Sequence, residues 1–60
     1  MMYKYGLKVP KRGFETQPSG YIKHDEVNKA ETGYCDYVYY LRQLTSNEVE
    51  EFKLDYLGTI

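Results

Sequence analysis

The chain has 60 residues, a formal net charge of -1 and a single cysteine, so we expect one small domain spanning residues 1–60. A domain of this length buries only about 60% of the surface that its unfolded chain exposes, which excludes a two-domain enzyme and a large ligand cavity. No run of about 18 apolar residues is present, so we expect no transmembrane helix, and the N-terminus has no apolar stretch typical of a secretory signal. Cys35 has no partner for an internal disulfide, which favours a reduced, cytoplasmic protein.

Charge is distributed unevenly along the chain. Residues 1–24 contain five basic residues and one acidic residue, a net charge of +4, whereas residues 25–60 contain eight acidic and three basic residues, a net charge of -5. This asymmetry indicates a polar partner surface, or it reflects only how one hairpin and one helix happen to be charged.

The first predicted element is a strand over residues 2–9, because apolar side chains alternate there with Lys4, Gly6 and Lys8. The apolar side of this strand is formed by Tyr3, Tyr5, Leu7 and Val9. Pro10 ends the strand, since proline cannot donate to the ladder. Two prolines and two glycines then predict a long loop over residues 10–20.

Two further strands are predicted over residues 21–27 and 34–42, separated by turn residues 28–33. The third strand is the strongest, because it is rich in aromatic and β-branched residues. One side of it is free of charge, and we expect this side to face the core together with Ile22 and the apolar side of the first strand. These charge-free residues are Cys35, Tyr37, Tyr39 and Leu41.

A helix is predicted over residues 46–56. Thr45 and Glu48 have the spacing of a capping box, and Val49, Phe52 and Tyr56 form an apolar stripe. An alternative is that the helix ends near Lys53 and the chain continues extended, because Phe52, Leu54 and Tyr56 also alternate with a period of two.

These elements predict an α+β fold, in which a three-stranded, mostly antiparallel sheet carries one C-terminal helix on one face (β-β-β-α). The other face is then exposed, either as an ordinary solvated face or as a partner-binding surface rich in tyrosine and basic residues. With the loop residues, the candidate partner-binding residues are Lys4, Lys8, Lys11, Arg12, Phe14, Tyr21, Lys23, Tyr34, Val38, Tyr40 and Arg42.

Enzymatic chemistry is not indicated. His24 and Cys35 lack the spacing of a zinc site, and a thiol within an apolar strand face is inert. The five glycines are dispersed and form no phosphate-binding motif. We therefore expect no catalytic residues, no metal and no cofactor.

Binding of another protein is the leading functional hypothesis, through the tyrosine-rich face or through an acidic helix face that docks on a basic partner. The alternative is weak binding of single-stranded nucleic acid, because aromatic rings beside lysine and arginine can stack bases. The negative net charge argues against this alternative. A homodimer that uses the same sheet face is a third hypothesis.

Residues 39–58 resemble the C-terminal ends of small bacteriophage and mobile-element proteins, in the succession of a strand, a capping box and an amphipathic helix. The resemblance covers about a third of the chain and carries over no functional residue. It implies a class of role, namely stoichiometric binding to a host factor such as a defence nuclease or another nucleic-acid enzyme, in the host cytoplasm.

Overall fold

The computed structural model describes residues 1–10 and 18–60, which form an α+β fold built on a four-stranded antiparallel sheet. The elements are β1 (Tyr3–Leu7), β2 (Tyr21–Glu26), α1 (Lys29–Thr32), β3 (Asp36–Tyr40), α2 (Ser46–Glu51) and β4 (Leu54–Thr59). The strand order is β2-β3-β1-β4, so β1 lies inside the sheet and β2 and β4 form its edges. Most of the loop predicted over residues 10–20, with Lys11, Arg12 and Phe14, lies outside the described residues. Within the described part, neither helix has the length and apolar character needed to cross a bilayer.

The prediction of a three-stranded sheet followed by a helix over residues 46–56 is wrong at the C-terminal end of the chain. Helix α2 ends at Glu51, and the chain continues as β4, which pairs with β1. Lys53 adopts a left-handed conformation (φ 57°), which breaks the helical path and turns the chain back along the sheet. The period-two alternation of Leu54 and Tyr56 therefore prevails over the helical spacing, because pairing with β1 buries Leu54.

The start of α2 follows the prediction. The Thr45 side chain accepts a hydrogen bond from the backbone N–H of Glu48, and the Glu48 carboxylate accepts one from the backbone N–H of Thr45. The predicted capping box is therefore confirmed. The turn predicted over residues 28–33 contains a single helical turn, α1, which Asn28 caps and which ends at Gly33 in a left-handed conformation.

The side of the third strand predicted to face the main core cluster is wrong, although Tyr39 is buried as predicted, at 5% exposure. Val38 and Tyr40 face the core instead, because β1 and β3 pair with Tyr5 opposite Val38 and residues opposite each other project to the same side. The prediction took the charge-free side as the buried one because Asp36 and Arg42 lie on the other side. Asp36 is in fact buried at the start of β3, and Arg42 lies beyond the end of the strand. Other residues predicted for the core lie elsewhere. Leu41 is 69% exposed, Val9 and Ile22 are exposed, and Cys35 is half-buried just before β3.

A row of tyrosine rings crosses all four strands on the core side of the sheet, with Tyr5 and Tyr40 buried, Tyr21 half-buried and Tyr56 exposed. Tyr5 of β1 packs edge-on against Tyr40 of β3 and also contacts Tyr56 of β4, and Tyr40 contacts Tyr21 of β2. The buried hydroxyl of Tyr5 accepts a hydrogen bond of 2.8 Å from the backbone N–H of Leu44, which fixes the link between β3 and α2. Aliphatic side chains complete the cluster, with Val49 and Phe52 packed against it: Leu7, Val38, Leu44 and Leu54.

Arg42 joins α2 to the end of the segment before β2. Its guanidinium forms two parallel hydrogen bonds to the Glu48 carboxylate (2.9 and 2.7 Å), and it also donates to the backbone carbonyl and the hydroxyl of Ser19. The hydrogen bonds from Arg42, followed by the one from the Thr45 backbone N–H, lower the pKa of Glu48 to about 2. Since the ionised carboxylate serves both the capping box and the bidentate pair, it fixes the direction in which α2 starts.

We expect Leu54→Ala to destabilise the protein by about 2–5 kcal/mol, since Leu54 is 2% exposed and truncation leaves a cavity in the core. The total stability of so short a chain is only a few kcal/mol, at about 0.05–0.15 kcal/mol per residue. Urea unfolding followed by circular dichroism would measure the change. Leu41→Ala is the matched control, and a loss as large at this exposed position would contradict the assignment of the core.

We expect Glu48→Gln to lower the urea midpoint at pH 7, because the folded protein loses the ionised partner of Arg42 and of the Thr45 N–H. A carboxyl whose folded pKa is depressed to about 2 contributes stability above its ordinary value of 4.5, and this contribution is lost as the pH falls towards 2. The difference between wild type and variant should therefore shrink across this window. A difference that stays constant down to pH 2 would contradict the pairing, and Glu51→Gln serves as the control.

Candidate functional site

The sheet face opposite α2 carries three tyrosines and two lysines, which we call the tyrosine face. Its members are Lys4, Lys23, Tyr34, Tyr37 and Tyr39. Lys4, Tyr37 and Tyr39 lie there because they alternate with the core residues of β1 and β3. Lys23 lies there because the register shift after Tyr21 pairs it with Tyr39, and Tyr34 because its ring lies over Gly6. The eight tyrosines of the chain thus divide between the two sides of one sheet.

The strand registers arrange this face in two rows. In the first row, Lys4 and Lys23 lie opposite Tyr39 on either side of it. In the second row, Gly6 and Asp25 lie on either side of Tyr37, and Asp55 of β4 lies opposite Gly6. A row with two cations is therefore followed by a row with two carboxylates, and each row has a tyrosine on β3.

Both carboxylates of the second row accept hydrogen bonds from tyrosine hydroxyls. The Tyr39 hydroxyl donates to Asp25 (2.8 Å) and the Tyr34 hydroxyl donates to Asp55 (2.9 Å), which also pairs with the Lys8 ammonium at 3.1 Å. The Tyr34 and Lys8 contacts lower the pKa of Asp55. Burial, followed by the bond to Asp25, raises the pKa of Tyr39 to about 12. The hydroxyls are thus fixed in direction, and both tyrosines remain neutral at physiological pH.

The two lysines of the face lie over aromatic rings. The Lys4 Nζ atom is 4.1 Å from the centroid of the Tyr37 ring, and the Lys23 Nζ atom is 4.8 Å from that of the Tyr39 ring. Both distances are within the range of cation–π attraction. Among residues 1–10 and 18–60, neither ammonium is ion-paired with a carboxylate.

Gly6 allows Tyr34 to lie flat on the sheet. A Cβ atom at this position would lie 2.5–2.7 Å from three ring atoms of Tyr34, which is closer than van der Waals contact allows. The missing side chain therefore makes room for the ring that bonds to Asp55 and contacts Tyr37.

The structure places the predicted partner-binding residues in different environments. Lys4, Lys23 and Tyr34 lie on the tyrosine face. Val38 and Tyr40 were predicted to lie on the exposed surface, and this is wrong, since both are buried in the core at 1% and 0% exposure. The remaining described residues make contacts within the chain: Tyr21 with Tyr40 and His24, Arg42 with Glu48, and Lys8 with Asp55.

Tyr37 and Tyr39 are the residues of this face that sequence reasoning assigned to the core. The side of β3 that they share is free of charge, which is why it was taken as the buried side. Their position opposite Lys23 and Asp25 is set by the pairing of β2 with β3. A local signal was nevertheless present. Lys23 and Asp25 are two residues apart on one strand and project to the same side of it, and each of these side chains can contact a tyrosine.

A concave region with a volume of about 510 Å³ lies between α2 and β4. Its lining includes Leu44, Val49, Glu50, Lys53 and Tyr56. Among the described residues, no group of three or more histidine, cysteine, aspartate or glutamate side chains is arranged to hold a metal ion.

No family model, no curated protein and no solved structure matches this chain.

We expect Gly6→Ala to destabilise the protein by about 1–3 kcal/mol, because the added methyl group displaces the Tyr34 ring and forces its bond to Asp55 to break. In a Tyr34→Ala background the same methyl group has space, so Gly6→Ala should cost far less there. A double-mutant cycle measured by urea unfolding would give this coupling. Additive effects of the two substitutions would contradict the close packing of Tyr34 on Gly6.

Proposed function

We propose that this chain is a non-enzymatic protein-interaction module that binds its partner through the tyrosine face. The observation that carries the proposal is the ordered array of Tyr34, Tyr37, Lys4 and Lys23 on the face opposite α2, where each is partly or fully exposed, and Tyr39, itself only 5% exposed, supports this array through Lys23 and Asp25. The phage-type role, in which the partner is a host factor, stays a prediction from the resemblance of residues 39–58.

The organisation of this face supports binding because its side chains are already held in place. Tyrosine gives a large contact area at a low cost in conformational entropy, and it is enriched at recognition surfaces. Here the hydroxyls of Tyr34 and Tyr39 are held by Asp55 and Asp25, so a partner would not have to order them. A preorganised surface loses less free energy on association than one with mobile side chains.

The same geometry favours a protein over single-stranded nucleic acid. Bases stack on free aromatic ring faces, but Lys4 covers the ring of Tyr37, Lys23 lies over that of Tyr39, and Tyr39 is only 5% exposed. The chain also lacks the excess of positive charge that usually attracts a phosphate backbone.

Affinity capture from a lysate of the source cell would test the proposal with three immobilised proteins: wild type, Tyr37→Ala and Glu51→Ala. Truncation of a central tyrosine at a binding surface costs about 2 kcal/mol, which is about thirty-fold in affinity. A partner retained by wild type and Glu51→Ala should therefore be lost from Tyr37→Ala, and circular dichroism would show that each variant is folded.

Two outcomes would contradict this proposal. Capture that depends on Glu51 and not on Tyr37 would move the binding surface to the acidic α2. Recovery of no protein above the background of the bare resin would contradict the proposal that the chain is an interaction module.

A further inference from the structure

We propose that the partner presents an acidic segment, and that its carboxylates bind the ammonium groups of Lys4, over the Tyr37 ring, and of Lys23, over the Tyr39 ring. This inference rests on the proposed function and specifies the chemistry of the partner. It follows from the charges that the contacts within the face leave without a counter-ion.

The carboxylates near this face are already engaged. Asp55 accepts from Tyr34 and pairs with Lys8, and Asp25 accepts from Tyr39. Asp25 lies only two positions from Lys23 on β2, yet it bonds to the phenol and forms no ion pair with Lys23. In the described part of the chain, the charges of this face without an ionic partner are therefore the two ammonium groups and the Asp25 carboxylate, which the Tyr39 hydroxyl already engages, and together they give a net positive charge.

The backbone spacing of the two lysines suits two carboxylates of one segment. Lys4 and Lys23 occupy strands on opposite sides of β3, so their backbone positions are separated by two strand spacings, about 10 Å. Alternate residues of an extended chain project to the same side about 7 Å apart, and the length of the lysine and glutamate side chains accommodates the difference. An extended segment with glutamates at alternate positions can therefore contact both lysines.

The tyrosine rings strengthen the binding of a carboxylate at each of the two lysines. Each ring attracts the ammonium above it and keeps it at the sheet surface, so less side-chain entropy is lost when a carboxylate binds. A carboxylate approaching from solvent binds the outer side of the ammonium and leaves the ring contact in place. The resulting hydrogen bonds are charge-assisted and are stronger than those between neutral groups.

Binding of a short polyglutamate peptide to the full chain, followed by NMR of the tyrosine ring protons, would test this inference. The test compares wild type with Lys4→Gln/Lys23→Gln and with Lys29→Gln/Lys53→Gln. The control pair changes the net charge equally, and its lysines are exposed and not ion-paired within the described residues. We expect the Lys4/Lys23 variant to lose about tenfold in affinity, about 0.7 kcal/mol for each lysine, and the control to bind like wild type.

Equal losses in the two double variants would overturn the inference, because they would show attraction by net charge alone. Tighter binding of oligodeoxythymidine than of polyglutamate would also overturn it and would favour the nucleic-acid hypothesis. If capture of a partner depends on Tyr37, but polyglutamate neither binds this chain nor displaces that partner, the proposal of an acidic segment is wrong and the proposed interaction module stands. If capture is also independent of Tyr37, both proposals fail.

Discussion

The register in which β3 pairs with β1 determines which β3 side chains enter the core and which project from the opposite face of the sheet. Because Val38 pairs with Tyr5, the side chains of Val38 and Tyr40 enter the core, and those of Tyr37 and Tyr39 project to the opposite face. A shift of one residue in this register would exchange the two sets, since the side chains of a strand alternate between its faces. The buried hydroxyl of Tyr5, which accepts from the Leu44 N–H, adds a polar contact specific to the observed register.

Tyrosine serves different purposes on the two sides of the sheet. On the core side the rings supply apolar area that a chain of this length otherwise lacks, and Tyr5 and Tyr40 are almost completely buried. On the other side the rings support ammonium groups, and their hydroxyls satisfy the carboxylates of Asp25 and Asp55. The residue is suited to both positions because it combines a large ring with one polar atom at its tip.

Sequence reasoning succeeded where the signal is local and failed where it depends on distant residues. The capping box of Thr45 and Glu48 spans four residues, so it could be predicted without knowing the fold. The side of β3 that faces the core could not be predicted in this way, because residues 34–42 carry large apolar side chains on both sides. Only pairing with β1 distinguishes the two sides. The fourth strand was visible as an alternation that competed with a helical stripe. That conflict was decided by the left-handed Lys53 and by pairing with β1 at the other end of the chain. The candidate site inherited the same error, since Val38 and Tyr40 were placed on the surface and Tyr37 in the core, whereas Tyr39 is buried on the side opposite to Val38 and Tyr40.

The edges of the sheet favour recognition through side chains rather than through strand addition. Both edge strands are irregular: the register shifts at Ile22 in β2 and at Leu57 in β4, each of which is an extra residue relative to its partner strand. Such bulges increase the local twist and turn an edge away from further pairing. Strand β2 also carries charged side chains over Lys23–Glu26, which oppose pairing with another chain. Main-chain recognition is therefore disfavoured at both edges, whereas the tyrosine face offers ordered side chains across β1, β2 and β3. Specificity at such a face comes from the positions of its phenols and ammonium groups, and these positions are set by the strand registers.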